Sequence, residues 1–258
     1  MKIVVLVKEV PDTYGQRELH LETGLARRAD VDRVLDEVDE RALESAIAFA
    51  DANAGTEVVA LAMGPATAVD GIRRALAMGA ASAVHVVDDA LAGADAALTS
   101  EVLAQALAQQ QADLVIAGAS STDGGGGVVP AMTAERLGIP LASSLDSVEI
   151  AAESVRGRRA VDGEVQSVEC TLPALVSVTE RMPEARMPSL KGIMGAKKKP
   201  IQQLSTAELG VDADAVVPRS IMITVARRPA RAQGVKVVDE GDGAQRLAAY
   251  LEENGFLA

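Results

Sequence analysis

The chemistry open to this chain is concentrated in one run. Ser120, Ser121, Thr122 and Asp123 lead directly into four glycines, Gly124, Gly125, Gly126 and Gly127, and then into Val128, Val129 and Pro130. Glycines allow a tight turn and let the backbone approach a ligand with no Cβ in the way. Peptide N–H groups placed at the start of a helix favour an anion. The run lacks the Lys-Ser/Thr pair of a G-x-x-x-x-G-K-[ST] loop, so nothing in it polarises a γ-phosphate or holds magnesium. It also misses the G-x-G-x-x-G spacing of a dinucleotide turn. The residues therefore point to a nucleotide phosphate that is held and not cleaved. A flexible surface loop is the plainer alternative.

Leu114, Val115, Ile116 and Ala117 precede this run without polar alternation, as in a strand covered on both faces, and Gly118 ends them. Pro130 suits the first turn of a helix, residues 131–137 continue it, and Gly138 with Pro140 stops it. Upstream, strands are expected over 3–7, 57–63 and 83–87. Helices are expected from Asp39, where Asp36 or Asp39 can cap, from Val69 to Gly79, and over 99–110. Residues 8–13 read as a polar turn and 14–33 as a loop or small excursion. Strand and helix alternating in this way predict a parallel sheet wound with helices, with ligands at the carboxyl ends of its strands. Beyond Pro140, residues 144–150, 154–159 and 165–171 read as an antiparallel meander added to the sheet, and 174–178 as a last inner strand. Residues 180–200 follow no period, 201–242 read as an extended arm, and a helix over 245–253 closes the chain.

Composition narrows the class. A chain of 258 residues at 48% hydrophobic content can bury a large core, yet only 2% of it is aromatic, so the core is aliphatic and few rings can stack on a flavin or base. A net charge of −12 argues against nucleic acid or an anionic membrane as partner. Cys170, the single cysteine, lies in an apolar strand-like run and reads as a buried, inert thiol. With His20 and His85 as the only histidines, no metal cluster is expected. The apolar run at 3–7 is shorter than a signal-peptide core, and no segment spans a membrane, so a cytoplasmic location is expected. No catalytic residue can be assigned: a Ser-Gly-Gly-x-Asp-Ser loop, a His-containing nucleotidyl-transfer motif and a positioned general base are all missing from the pattern.

A second informative stretch covers residues 180–200. Pro183, Pro188 and Pro200 with Gly192 and Gly195 disfavour a long element, while Met182, Met187, Leu190, Ile193 and Met194 are too apolar for a solvated linker. Such a loop either offers a docking surface or folds back and buries these side chains. Lys197, Lys198 and Lys199 read as a solvated face.

Together these motifs resemble the β (small) subunit of electron transfer flavoproteins, the FixA type. The likeness rests on Lys8-x-Val10-Pro11-Asp12-Thr13, Asp39-Glu-Arg-Ala-Leu-Glu44, Gly64-Pro65, Arg74-Ala-Leu-Ala-Met-Gly-Ala80, Asp113-Leu-Val-Ile-Ala-Gly118, Thr122-Asp-Gly124, Leu172-Pro-Ala174 and Gly192-Ile-Met-Gly-Ala-Lys-Lys-Lys199, with Gly234-Val-Lys-Val237 a weaker match near the end. The resemblance implies a Rossmann-like fold of the adenine nucleotide α-hydrolase kind over residues 1–200, with 201–258 an arm and helix packing on an α subunit. It implies a buried structural AMP held by Asp123, the glycines Gly124 to Gly127, Val128, Val129, Thr133 and Ala134. Leu6, Asp36, Glu37, Val38, Asp39 and Met63 would line the adenosine. FAD would belong mostly to the α subunit.

The likeness also implies that Leu190 anchors a recognition loop in partner dehydrogenases, with Ile193, Met194, Glu184 and Arg186 around it. Electrons would come from flavin dehydrogenases, such as those of fatty acid oxidation, and pass to a membrane quinone oxidoreductase. A second FAD in place of AMP, as in bifurcating relatives, and a stand-alone AMP- or ATP-sensing module are the other readings. Several positions depart from the family pattern: Ala185 where Pro is usual, Lys191-Gly192 in place of Pro-Asn, Gln166 near a latching acid that Glu164 could replace, and Asp36-Glu37-Val38 in place of Asn-Pro-Phe.

Overall fold

The computed structural model describes residues 1–215, 222–231, 233–234 and 236–257. It divides into two compact units, Met1–Ile223 and Thr224–Ala258. In the first, the chain runs β1 (Lys2–Leu6), β2 (Glu9–Pro11), β3 (Arg33–Leu35), α1 (Glu37–Ala52), β4 (Glu57–Met63), α2 (Val69–Met78), β5 (Ser82–Val86), α3 (Ala96–Gln110), β6 (Leu114–Gly118) and α4 (Val129–Leu137). It continues through β7 (Leu141–Leu145), β8 (Ser147–Ile150), β9 (Ser154–Val161), β10 (Glu164–Thr171), β11 (Ala174–Val178), α5 (Leu190–Ala196) and β12 (Ile201–Leu204). The second unit carries α6 (Gly243–Glu253).

Seven parallel strands form the main sheet in the order β12-β5-β4-β1-β6-β11-β7. The chain leaves β1 in one direction to build β4 and β5, then crosses back to place β6 on β1's other side. The order reverses between β1 and β6, so a crevice opens at their carboxyl ends, the ordinary ligand position in such sheets. Alternate residues of β1 serve opposite faces. Ile3, Val5 and Val7 pack with Leu43, Ile47, Ile72 and Leu76 of α1 and α2. Val4 and Leu6 pack with Val102 and Leu107 of α3 and Ala134 of α4. Both faces are covered, which is why these strands lack polar alternation. Each buried Leu, Ile or Val contributes about 1.5–3 kcal/mol.

Several elements depart from the sequence reading. Residues 9–11, expected within a polar turn, pair antiparallel with β3, because Val10 and Leu35 are buried beneath the polar residues around them. The stretch 144–150 is two strands, not one. β7 joins the main sheet in parallel, Ser144 turns the chain at φ +55°, and β8 starts a separate antiparallel sheet with β9 and β10. Helix α3 starts three residues earlier than expected, since Asp95 accepts from the Leu98 N–H at 2.9 Å and caps it. The aperiodic 180–200 stretch contains α5, and β12 follows where an arm was expected, pairing in parallel with β5. The expected arm over 201–242 also takes in residues 216–221, 232 and 235, which lie outside the described residues, as does residue 235 of the 234–237 motif. The closing helix begins two residues before its expected start. Cys170 is half-buried on β10, and burial pushes its thiol pKa up.

Candidate functional site

Three carboxylates organise the carboxyl edge of the sheet. Asp36 caps α1: Oδ1 accepts from the Val38 N–H at 3.0 Å, and Oδ2 accepts from both the N–H and the hydroxyl of Thr122, at 2.7 and 2.9 Å. One side chain thus starts a helix and ties down the loop after β6. Asp39, one turn on, bridges two strand ends. Its Oδ2 accepts from the Lys8 N–H at 2.9 Å and its Oδ1 from the Gly118 N–H at 3.1 Å. Burial raises its pKa, the neighbouring Asp36 charge raises it further, and the two N–H groups and Lys8 oppose both.

Asp123 is the third. Its side chain is 3% exposed and sits between two cations, Lys8 Nζ at 2.7 Å and the Arg28 guanidinium at 2.8 Å. Burial pushes the carboxyl pKa up, but the hydrogen bonds and charges of Lys8 and Arg28 outweigh it and hold the group well below the usual carboxylate range. All three carboxylates are therefore engaged within the protein, and what this edge turns outward is backbone.

That backbone is the glycine run. Gly125 and Gly127 both lie at φ +64°, a left-handed conformation that side-chain-bearing residues resist, while Gly126 between them does not. A Cβ built on Gly125 or Gly126 meets nothing, so the turn stands clear of the rest of the protein. Residues 124–128 are exposed. Gly125 N–H donates back to the Ser121 carbonyl at 2.9 Å, closing the turn. Among the described residues nothing accepts from the backbone N–H groups of Gly126, Gly127 and Val128. Val129 and Pro130 begin α4 directly afterwards, adding the positive end of its dipole. One turn into that helix Thr133 is fully buried, and its hydroxyl finds no partner among the described residues. Ala134 beside it is core.

The expected adenosine-lining residues gather at the same edge. Leu6 ends β1, Met63 ends β4 half-buried, and Asp36, Glu37, Val38 and Asp39 form the first turn of α1. Two contributors escaped the sequence reading. Lys8 belonged to a motif but had no role, and Arg28 sat in an unpatterned charged stretch. Only the fold brings Arg28 to Asp123, and the charge run around residues 27–33 was the sole local hint.

A second candidate surface lies on α5. Ser189 caps the helix through the Gly192 N–H at 3.1 Å. Leu190, Ile193 and Met194, spaced i, i+3, i+4, share one face, and Leu190 is 82% exposed. Met187 just before them is also exposed, whereas Met182 is buried and Ala185 packs on the core. The helix backs tightly onto α2, where a Cβ at Gly192 would collide with the Ala77 carbonyl. Lys199 is no solvated charge: its Nζ donates to the Leu76 and Ala80 carbonyls at 2.9 and 2.6 Å, closing the end of α2, and burial lowers its pKa. Arg186 holds the preceding segment to α1 by a two-pronged bond to Glu44, at 2.8 and 2.9 Å, and a further one to Asp51 at 2.6 Å. Glu184 is exposed.

Comparison with known proteins finds relatives along nearly the whole chain. Residues 23–209 match the electron transfer flavoprotein domain. The chain is 44% identical over 257 residues to the electron transfer flavoprotein subunit beta of Mycobacterium tuberculosis, covering 96% of this chain and 97% of that protein. It is 34% identical to the corresponding subunit of Syntrophomonas wolfei, over 98% and 96% of the two chains. It is also 33% identical to the caffeyl-CoA reductase-Etf complex subunit CarD of Acetobacterium woodii, over 83% and 82%.

Proposed function

This chain belongs to the electron transfer flavoprotein family, among its β subunits, and from that premise we propose that it is the nucleotide-holding half of a two-chain electron carrier. The observation that carries the reading is the exposed, left-handed glycine turn at the sheet's switch point, with unpartnered N–H groups at the start of α4. The residues fit an adenine monophosphate. Gly126, Gly127 and Val128 offer N–H groups to a phosphate, the unpartnered Thr133 hydroxyl supplies a further polar atom, and Leu6, Val38 and Met63 offer an apolar wall to a purine.

The three buried carboxylates at this edge, Asp36, Asp39 and Asp123, are committed within the protein, and none of them is free to assist cleavage. AMP in this subunit is accordingly structural. FAD, carried mostly by an α subunit, supplies the redox chemistry when bound, and this chain's own part is to hold the nucleotide and present α5. In that scheme Leu190, Ile193 and Met194 dock into flavin dehydrogenases as donors, such as acyl-CoA dehydrogenases. Electrons leave to a membrane quinone oxidoreductase. This reading puts the protein in the cytoplasm. Among the described residues no helix is long and apolar enough to cross a membrane.

The test is co-purification with an α subunit of the same family. The pair is expected to be yellow and to pass electrons from a reduced dehydrogenase to a quinone-reducing acceptor, while this chain alone is colourless. A colourless pair that binds AMP or ATP reversibly would instead make it a nucleotide-sensing module.

A further inference from the structure

Between Asp12 and Asp32 the chain leaves the sheet and returns. Its two ends are pinned by the short β2–β3 ladder and by the Asp12 N–H donating to the Asp32 carbonyl at 2.9 Å. Inside, it folds on itself through the Leu19–Ala26 bridge, with His20 and Arg27 N–H groups donating to the Leu25 and Glu18 carbonyls at 2.8 and 2.9 Å. It contributes little to the core: Tyr14, Leu19, Leu21 and Leu25 are all exposed. Polar contacts hold it to the glycine turn. Arg17 donates to the Thr122 carbonyl, and Arg28 pairs with Asp123, the residue directly before the first glycine.

The division of labour at Asp123 is informative. Oδ1 takes Lys8, which follows β1 directly, and Oδ2 takes Arg28 from the excursion. Removing Arg28 therefore takes away the excursion's one ion pair to the turn, leaving it the Arg17 hydrogen bond to the Thr122 carbonyl, while the turn stays tethered through Lys8 and, at Thr122, through Asp36. Breaking one ion pair can thus loosen the excursion without dismantling the cradle beside it.

We propose that residues 12–32 form a strap beside the nucleotide cradle, with Arg28 as its latch on Asp123, and that the strap sets how fast the bound adenine nucleotide exchanges. The inference rests on the AMP reading of the glycine turn. Arg28 is a positioning residue: it acts on the ligand through the strap. The same pair leaves a surplus positive charge beside the phosphate position, since two cations meet one carboxylate in a chain of net charge −12. Unlatching therefore weakens both the strap's hold beside the phosphate position and the local field.

The experiment uses the heterodimer loaded with radiolabelled AMP and chased with excess unlabelled AMP. Arg28→Gln is expected to speed label release at least tenfold, and Arg28→Lys less. Arg27→Gln removes the same charge from the same strap but breaks only contacts to Glu18 and Asp30, and is expected to release at the wild-type rate. Amide hydrogen exchange over residues 14–30 should rise in Arg28→Gln alone, a readout that does not require the ligand. Wild-type complex that takes up no AMP defeats the reading of the cradle and the strap with it. Wild-type complex that holds AMP, beside Arg28→Gln that releases it at the same rate, overturns the strap and leaves the cradle standing. Equal acceleration by Arg27→Gln would also overturn the latch, by making charge alone the cause.

Discussion

The Gly118 N–H donates to Asp39 Oδ1 at 3.1 Å, and a Cβ at position 118 would collide with that same oxygen. The glycine that ends β6 is thus required by the buried carboxylate that joins β6 to the start of α1. Lys8, just past β1, donates its N–H to the other oxygen. Gly118→Ala must push Asp39 away and leave a buried acceptor short of a donor, which costs ~1–3 kcal/mol. Thermal or urea unfolding of the variant measures it, and weaker AMP retention should accompany the loss because the crevice is built on these two strand ends. A stability unchanged within about half a kcal/mol would show that Asp39 rearranges freely.

The two left-handed glycines separate backbone strain from crowding. At φ +64° Gly125 and Gly127 resist any side chain, by roughly 1–2 kcal/mol and more for a β-branched residue. Gly127→Val is expected to strip most AMP from the purified complex. Gly126, whose φ is not left-handed, should accept Ala with little loss of folding stability, so any drop in AMP content there reports contact with the ligand. Nucleotide content by chromatography and melting temperature together read both effects.

Leu190 makes its case by exposure. A side chain 82% exposed contributes little to folding, so Leu190→Ala should leave the melting temperature, AMP and FAD content as they are. As a buried anchor in a complex it would be worth ~2 kcal/mol or more. Electron receipt from a donor dehydrogenase should then slow by about tenfold or more, seen in kcat/KM for the carrier. Unchanged kinetics would remove Leu190 from the docking surface.

His85 sets a pH dependence. The ring is fully buried in β5 and neither nitrogen has a hydrogen-bond partner among the described residues, although the nearby backbone of Gly64 and Pro65 partly favours the charged form. Burial is the larger effect and lowers the pKa below 6.5. The unfolded chain therefore binds this proton first. The stability that His85 contributes is full above pH 6.5 and is lost as pH falls from there towards the depressed folded value. The slope is at most about 1.4 kcal/mol per pH unit. His85→Leu should flatten the melting temperature between pH 7 and 5.5, and an identical slope in both proteins would contradict the assignment.

The sequence and the structure meet most closely where pattern and chemistry coincide. Strands 57–63 and 114–118 carry unbroken apolar runs ended by glycine, and both lie where the pattern puts them. By type and place Asp36 and Asp39 are both cap candidates, and Asp36 is the one that caps. The rest depends on long-range geometry. Helix α5 hides behind Gly192 and Gly195, the first of which is needed because the helix touches α2, a requirement no local pattern contains. Strand β12 is four residues long and stable only as an edge on β5. Arg28 and Asp123 are 95 positions apart, so their pairing leaves no trace in spacing. Asp36 and Asp39, expected to line a ligand, direct their carboxylates to Thr122, Lys8 and Gly118, so under the proposed function only backbone and apolar atoms there would meet an adenosine.

The central claim is that a bare glycine turn at the switch point grips an adenine nucleotide for architecture. The direct measurement is to denature the purified heterodimer, extract its small molecules and identify them by mass with stoichiometry. One AMP and one FAD per pair is the predicted result. A pair that yields no adenine nucleotide beyond a single FAD, or two FAD and no AMP, would contradict it.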